Sequence, residues 1–195
     1  VKITGVEGAA QDACAMRDAL IQLGVQIDVE ENSWTVHGVG PEGFSTPLEI
    51  LNLQNSGTAF RLLSFACLKI GEPVSITGDS TLDSRIDRAF WNSLGVELQY
   101  ASNEQNLPLC IRGPFNKKSL TLDCSKTSQH LSAILLSMPA RDDGLFLAID
   151  GDIVSSRHAR LSFQIAADCG SQNKFGNWRG LQHFLTKPAL VGDLG

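Results

Sequence analysis

The sequence predicts an α+β fold: repeated βαβαββ units with pseudo-threefold symmetry, inner helices and outer mixed sheets. Three observations predict it. A strand-like seed recurs at constant spacing, a glycine-terminated helix follows each copy, and a second, more apolar helix type interleaves with the first. Periodic self-similarity of this length marks a supersecondary unit used more than once.

The seed Val1-Lys2-Ile3-Thr4-Gly5 returns 73 residues later as Val74-Ser75-Ile76-Thr77-Gly78, and Leu147-Ala148-Ile149-Asp150-Gly151 follows after another 73. The helices after them end in Leu23-Gly24, Leu94-Gly95 and Cys169-Gly170, glycine being the residue that most readily takes the left-handed cap. Alternating runs at 25–29 and 96–100 read as strands after the first two caps. Further strands are expected at 34–39, 48–53, 109–112 and 119–123. The interleaved helices are expected at 57–70 and 128–138, each opened by short polar residues or glycine. The unit is a cyclic permutation of βαβαββ, and the boundaries fall near 1–73, 74–146 and 147–195 within one domain, 1–195. The stretch 171–180 is polar and the tail to Gly195 has weak strand character.

Composition narrows the function. The chain has 195 residues, 43% hydrophobic and 19% charged, which is ordinary globular composition. Its longest uncharged apolar run, 131–138, is far short of the roughly 20 residues that span a bilayer. No basic, apolar signal region opens it, so neither secretion nor membrane insertion is expected. A net charge of −5 advertises no general surface for nucleic acid, although a local cluster of donors can still take a small anion. The five cysteines include no C-x-x-C pair and read as buried thiols in a reducing cytoplasm. The four histidines have no ligand spacing, so no metal is indicated, and no phosphate loop, dinucleotide fingerprint or hydrolase elbow is present.

Chemistry is expected where strands run into helices. In Leu53-Gln54-Asn55-Ser56-Gly57-Thr58, Gly57 lets a ligand approach the backbone and the helix start presents N–H donors to an anion. Thr127-Ser128-Gln129 holds the corresponding place one repeat later, with two hydroxyls and an amide. A plain N-cap would look the same at either place. Arg85 can pair bidentately with phosphate or carboxylate, or simply with Asp83 or Asp87. Ser155-Ser156-Arg157-His158 stands at the matching position in the next repeat.

These residues carry a family resemblance. Asn55-Ser56-Gly57-Thr58-Ala59-Phe60-Arg61 resembles the N-A/S-G-T-A/S/T-x-R signature of the EPSP synthases, the 5-enolpyruvylshikimate-3-phosphate synthases. Thr77-Gly78-Asp79 with Ser84-Arg85, Thr127-Ser128-Gln129-His130-Leu131-Ser132-Ala133, and Gly151-Asp152-Ile153-Val154-Ser155 resemble that family's later motifs, in the same order. The likeness runs from Val1 to Gly170 and covers most of the family's N-terminal domain, one half of an inside-out barrel. The family's Lys-Ser substrate segment would precede Val1 and its C-terminal domain would follow, so the chain resembles an excised domain, a fragment or a degenerate homologue.

The resemblance implies a cytoplasmic transferase of the shikimate pathway, serving chorismate and aromatic amino acid biosynthesis. It would move the carboxyvinyl group of phosphoenolpyruvate to the 5-hydroxyl of shikimate 3-phosphate, without metal or organic cofactor. Carried over by position, Asn55, Gly57 and Arg85 would face phosphoenolpyruvate, while Thr127, Ser128, Gln129 and Ser155 would hold shikimate 3-phosphate. Arg61 would support the glycine turn, and no catalytic residue is assigned. The complementary C-terminal domain is the expected partner; the chain alone is expected to bind shikimate 3-phosphate without turnover. Departures include Thr127 for serine, Leu62 for proline, Asp87 beyond Arg85, and Ser156-Arg157-His158 where the family has Lys/Arg-Pro-Tyr. The alternatives are a non-catalytic binding domain of the same descent and a UDP-N-acetylglucosamine carboxyvinyltransferase. The latter would want a reactive loop cysteine.

Overall fold

In the computed structural model, residues 1–40, 43–137, 144–171, 174–178 and 181–186 are described. They cluster into two units: Val1–Phe60 with Cys67–Phe115, and Arg61–Ala66 with Asn116–Gly195.

In the first unit, strand β1 (Lys2–Thr4) leads to helix α1 (Gln11–Gln22), followed by β2 (Ile27–Glu30) and β3 (Ser33–Val36). Helix α1 ends as its sequence predicts. Gly24 takes φ +91°, and the amides of Gly24 and Val25 return to the carbonyls of Ile21 and Leu20, the paired bonds of a Schellman cap. Strands β4 (Leu51–Asn52) and β5 (Val74–Thr77) run parallel, joined by helix α2 (Gly57–Cys67), of which Arg61–Ala66 cluster with the second unit. Two short helices, α3 (Ser80–Asp83) and α4 (Arg88–Ser93), precede β6 (Glu97–Gln99) and β7 (Leu109–Arg112).

The second unit holds β8 (Ser119–Asp123), α5 (Gln129–Ser137), β9 (Leu145–Asp150), α6 (Ser156–Asp168), β10 (Lys174–Trp178) and β11 (Leu181–Thr186). Helix α6 closes on Gly170 with the same cap as α1, Ser171 and Gly170 donating to Ala166 and Ala167.

The repeats recur in the sheets. One has the order β4-β5-β7-β6 and another β8-β9-β11-β10. In each, a leading strand lies parallel to the next, and the remaining contacts are antiparallel. The third sheet, β1-β3-β2, repeats the last three places of that order. Parallel pairing requires a crossover helix, and α2 and α5 supply it.

Burial follows the apolar pattern. Leu23, Leu51, Phe60, Ile76, Trp91 and Leu109 are among the fully buried side chains of the first unit, with Phe60 meeting Trp91 edge-on at 5.5 Å. In the second, His130–Leu135 of α5 are all buried, as are Leu122, Leu147 and Ile149. Burial on every side of residues 130–135 explains why that part of the run is so apolar, while Leu136 is exposed.

Several expectations are revised. The strand expected over 48–53 shrinks to Leu51–Asn52, because Leu48 and Ile50 are exposed and give the alternation no buried face. The strand at 34–39 is shifted to Ser33–Val36. The helix after Gly78 is split, since Asp79 and Asp87 each accept a cap bond, from the amides of Leu82 and Phe90, and so start separate helices. Arg85 therefore sits in the link rather than inside a helix. The polar stretch at 171–180 contains β10, held in the sheet through β11, which pairs with β9. Residues 187–195 and Met138, part of the expected tail and helix, lie outside the described residues.

Candidate functional site

In the first unit, the backbone turns sharply between β4 and α2. Gln54 adopts φ +53°, an uncommon conformation for a residue with a side chain. Its amide donates to Asn52 Oδ1 (3.0 Å), its carbonyl accepts from the amide of Asp79 (2.8 Å), and its side chain pairs with Gln11. Buried Ser56 then caps α2, its Oγ accepting from the amide of Ala59 at 3.2 Å. Asn55 is exposed between them and Gly57 is the first helical residue.

Arg85 reaches this turn. Its Nε donates to the Thr81 carbonyl (3.0 Å), and its Nη2 donates to the carbonyl of Asn55. The nearby aspartates are engaged elsewhere: Asp83 accepts from the amides of Asn106 and Leu107, and Asp87 caps α4. Asn55, Gly57 and Arg85 are thus brought together at the start of α2.

In the second unit, parallel pairing of β8 with β9 puts the ends of both strands, and the loops after them, side by side. The Val154 amide donates to the Cys124 carbonyl (3.1 Å) and ties the two loops together. Thr127 Oγ1 accepts from the amide of Gln129 (3.2 Å), and buried Ser128 precedes the helix, its carbonyl accepting from the amide of Ser132. Gln129 opens α5, with Oε1 accepting from Arg61 Nη1 at 2.8 Å. Ser155 precedes α6 in the left-handed region, φ +51°, with no side-chain cap bond. Thr127, Ser128, Gln129 and Ser155 therefore share the C-terminal edge of one parallel pair, the usual place for ligands in such sheets.

Asp123, at the start of the loop, is held below the usual carboxylate range by hydrogen bonds from Ser125. Burial pushes the Cys124 thiol up to about 11, with neighbouring Asp123 adding to it, and pushes Cys67 up to about 12. Neither is a nucleophile near neutral pH. Cys169, expected inside a buried helix, is exposed at the end of α6. His158 is also exposed, its amide bonded to the Ser155 carbonyl. Among the described residues, no group of three or more His, Cys, Asp or Glu side chains could hold a metal.

The sequence assigned Arg61 to the glycine turn but did not announce its bond to Gln129, 68 positions along the chain, and it gave Arg88 no role. Arg88 lies over the Tyr100 ring at 4.3 Å and donates to Asn106 Oδ1 and to the carbonyls of Ser102, Asn103 and Gln105. No local pattern announces pairs so distant in sequence.

Among solved structures, the fold matches an EPSP synthase of Acinetobacter baumannii with a TM-score of 0.71 over 94% of this chain, at 23% identity, covering 41% of that protein. The fold is therefore shared with that protein over this part of its length. The sequence profile of EPSP synthase (3-phosphoshikimate 1-carboxyvinyltransferase) matches residues 2–166, and the chain belongs to this family. Relatives named 3-phosphoshikimate 1-carboxyvinyltransferase include that of Methanospirillum hungatei JF-1, 32% identical over 168 residues, or 84% of this chain and 38% of the relative. That of Vibrio campbellii is 34% identical over 169 residues, or 83% and 39%. The chain spans about two fifths of the length of the relatives it matches.

Proposed function

We propose that this chain is most of the N-terminal domain of a carboxyvinyl transferase. The whole enzyme would join phosphoenolpyruvate to the 5-hydroxyl of shikimate 3-phosphate and release phosphate. The observation that carries the reading is the cluster at the start of α5: Thr127, Ser128 and Gln129 stand beside the Ser155 loop, within a segment matching the family. Two hydroxyls, an amide and the positive end of a helix offer an acceptor-rich ligand several donors without fixed charge. Shikimate 3-phosphate, with a phosphate and ring hydroxyls, has the matching chemistry.

Asn55, Gly57 and Arg85 are assigned to phosphoenolpyruvate. Arg85, anchored by the Thr81 and Asn55 carbonyls, brings a permanent positive charge to the start of α2. Transfer needs a proton added to the enol carbon, attack by the hydroxyl as it gives up its own proton, and then loss of phosphate from the tetrahedral adduct together with a proton from its methyl group. This chain contributes the donors that hold each anion, one set at the start of α2 and one at the start of α5; the proton donors and acceptors belong to the rest of the enzyme. The C-terminal domain is the proposed partner and the cytoplasm the proposed location. No helix among the described residues is long and apolar enough to cross a membrane.

The test is reconstitution with the remainder of a bacterial relative. Phosphate release that requires both substrates supports the transferase. An inert mixture of folded parts points to a binding domain instead.

A further inference from the structure

We infer that the β1-β3-β2 sheet is a docking surface for a strand followed by an apolar helix, the kind of segment this chain itself holds at β4–α2. The inference stands apart from the substrates assigned above. Pairing puts Ile27 opposite Val36, and both Val29 and Ile3 opposite Trp34, while Val1 exchanges two hydrogen bonds with Val36. Residues directly opposite share a face of the sheet. One face is therefore apolar throughout: Val1, Ile3, Ile27, Val29, Trp34 and Val36. The other carries Lys2, Thr4, Asp28, Glu30, Ser33 and Thr35. Yet on the apolar face Val1 is 89% exposed, Ile3 44% and Val29 53%. Their counterparts in the later repeats are covered: Val74, Ile76 and Leu147 are 0% exposed and Ile149 is 2%.

The edge of the sheet shows the same difference. Strands β5 and β9 each have a parallel neighbour, β4 and β8. Strand β1 pairs with β3 on one side and, among the described residues, has no strand on the other. Its bonds to β3 alternate, through Val1 and then Gly5, so Lys2 and Thr4 turn their backbone groups to the open edge. One repeat on, the carbonyl of Thr77 accepts from the amide of Leu53 at 2.9 Å, and Thr4 presents the corresponding carbonyl. An open edge is a template for another strand. A parallel strand must return to the sheet by a crossover, and a crossover helix brings the apolar cover that the exposed face needs. Edge and face therefore fit one partner: a strand parallel to β1, followed by a helix with an apolar stripe.

The test places a copy of residues 48–73 before Val1. The seeds stand 73 residues apart, so the copy joins β1 through the same residues, 68–73, that join α2 to β5. Hydrogen exchange of the Lys2 and Thr4 amides should slow by about tenfold or more in the fusion. Binding of the dye ANS, which reports exposed apolar surface, should fall. A control copy carrying Phe60→Asp and Leu63→Asp keeps the strand without an apolar helix, and should leave dye binding as it is in the unfused chain. In the unfused chain, Ile3→Lys should lower dye binding and leave the urea midpoint unchanged, whereas Ile76→Lys, at the buried counterpart, should lower the midpoint sharply.

A folded fusion with unchanged exchange at Lys2 and Thr4 would overturn the inference. So would an Ile3→Lys variant as damaged as Ile76→Lys, because the face would then be covered already. Edge-to-edge dimers of the unfused chain, seen by ultracentrifugation, would assign the surface to a second copy and overturn it too. If the fusion does not fold, a free peptide of residues 48–70 added to the unfused chain decides: slower exchange of the same two amides supports the inference, and unchanged exchange refutes it.

Discussion

The contact between Gly78 and the carbonyl of Gln54 makes a prediction that can be worked from the geometry. A Cβ at residue 78 would come closer than 3.0 Å to that oxygen and to the Leu82 side chain. The leucine is buried and the oxygen is backbone, so neither yields easily. The same oxygen accepts from the amide of Asp79 at 2.8 Å, and the amide of Leu53 donates to Thr77 at 2.9 Å, so the two loops are locked in register. Gln54 already sits at φ +53° and has little room to rotate. Overpacking costs about 1–3 kcal/mol and a weakened hydrogen bond about 1 more, so Gly78→Ala should destabilise the first unit by roughly 2–4 kcal/mol. The assay is urea unfolding followed by tryptophan fluorescence, with buried Trp91 as reporter and Gly71→Ala as control. A Cβ on Gly71 meets nothing within 4 Å, so that variant should stay within about 0.5 kcal/mol of wild type. A Gly78→Ala midpoint indistinguishable from the control would refute the packing argument.

Further outcomes follow from particular side chains. Cys169 should react with a thiol reagent at once, whereas Cys67 and Cys124 should react only on unfolding, as mass spectrometry of timed labelling will read. Because the folded Cys67 thiol titrates near 12, above its unfolded value, its contribution to stability is complete at neutral pH and declines as pH rises above the usual thiol range, which alkaline denaturation midpoints will show. Asp123 behaves oppositely. Its lowered pKa means a stabilising carboxylate above the usual carboxylate range, lost as pH falls through the folded value, and Ser125→Ala should move its NMR titration upward. Arg88→Ala removes four hydrogen bonds and a ring contact; it should cost about 2–3 kcal/mol and expose residues 102–106 to limited proteolysis.

Local signals in this sequence were strong wherever a short-range rule governs the structure. The glycines at 24, 95 and 170 all take positive φ after their helices, and β7 and β8 fall at the expected 109–112 and 119–123. The repeat was legible because each seed needs the same alternation to pair in its sheet. What escaped depends on distance. The break between α3 and α4 comes from two capping aspartates within a run that keeps its helical apolar spacing. The β10–β11 hairpin forms on a neighbour rather than on its own hydrophobicity. At the candidate site, Asn55, Gly57 and Arg85 are gathered in one unit, and Thr127, Ser128, Gln129 and Ser155 in the other, each at strand-to-helix turns that the sequence marks with short polar residues. The partners that hold them, such as the Asn55 carbonyl for Arg85 and Arg61 for Gln129, are 30 and 68 residues away, and no window of sequence contains both members of a pair.

The central claim, that the start of α5 is a shikimate 3-phosphate site, is tested most directly by calorimetric titration of the folded chain at low salt. Shikimate serves as the ligand without phosphate. The account predicts binding that depends on the phosphate group and weakens when Ser128→Ala removes a hydroxyl from the cluster. Equal affinity for shikimate, or no binding by a chain shown to be folded, would contradict it.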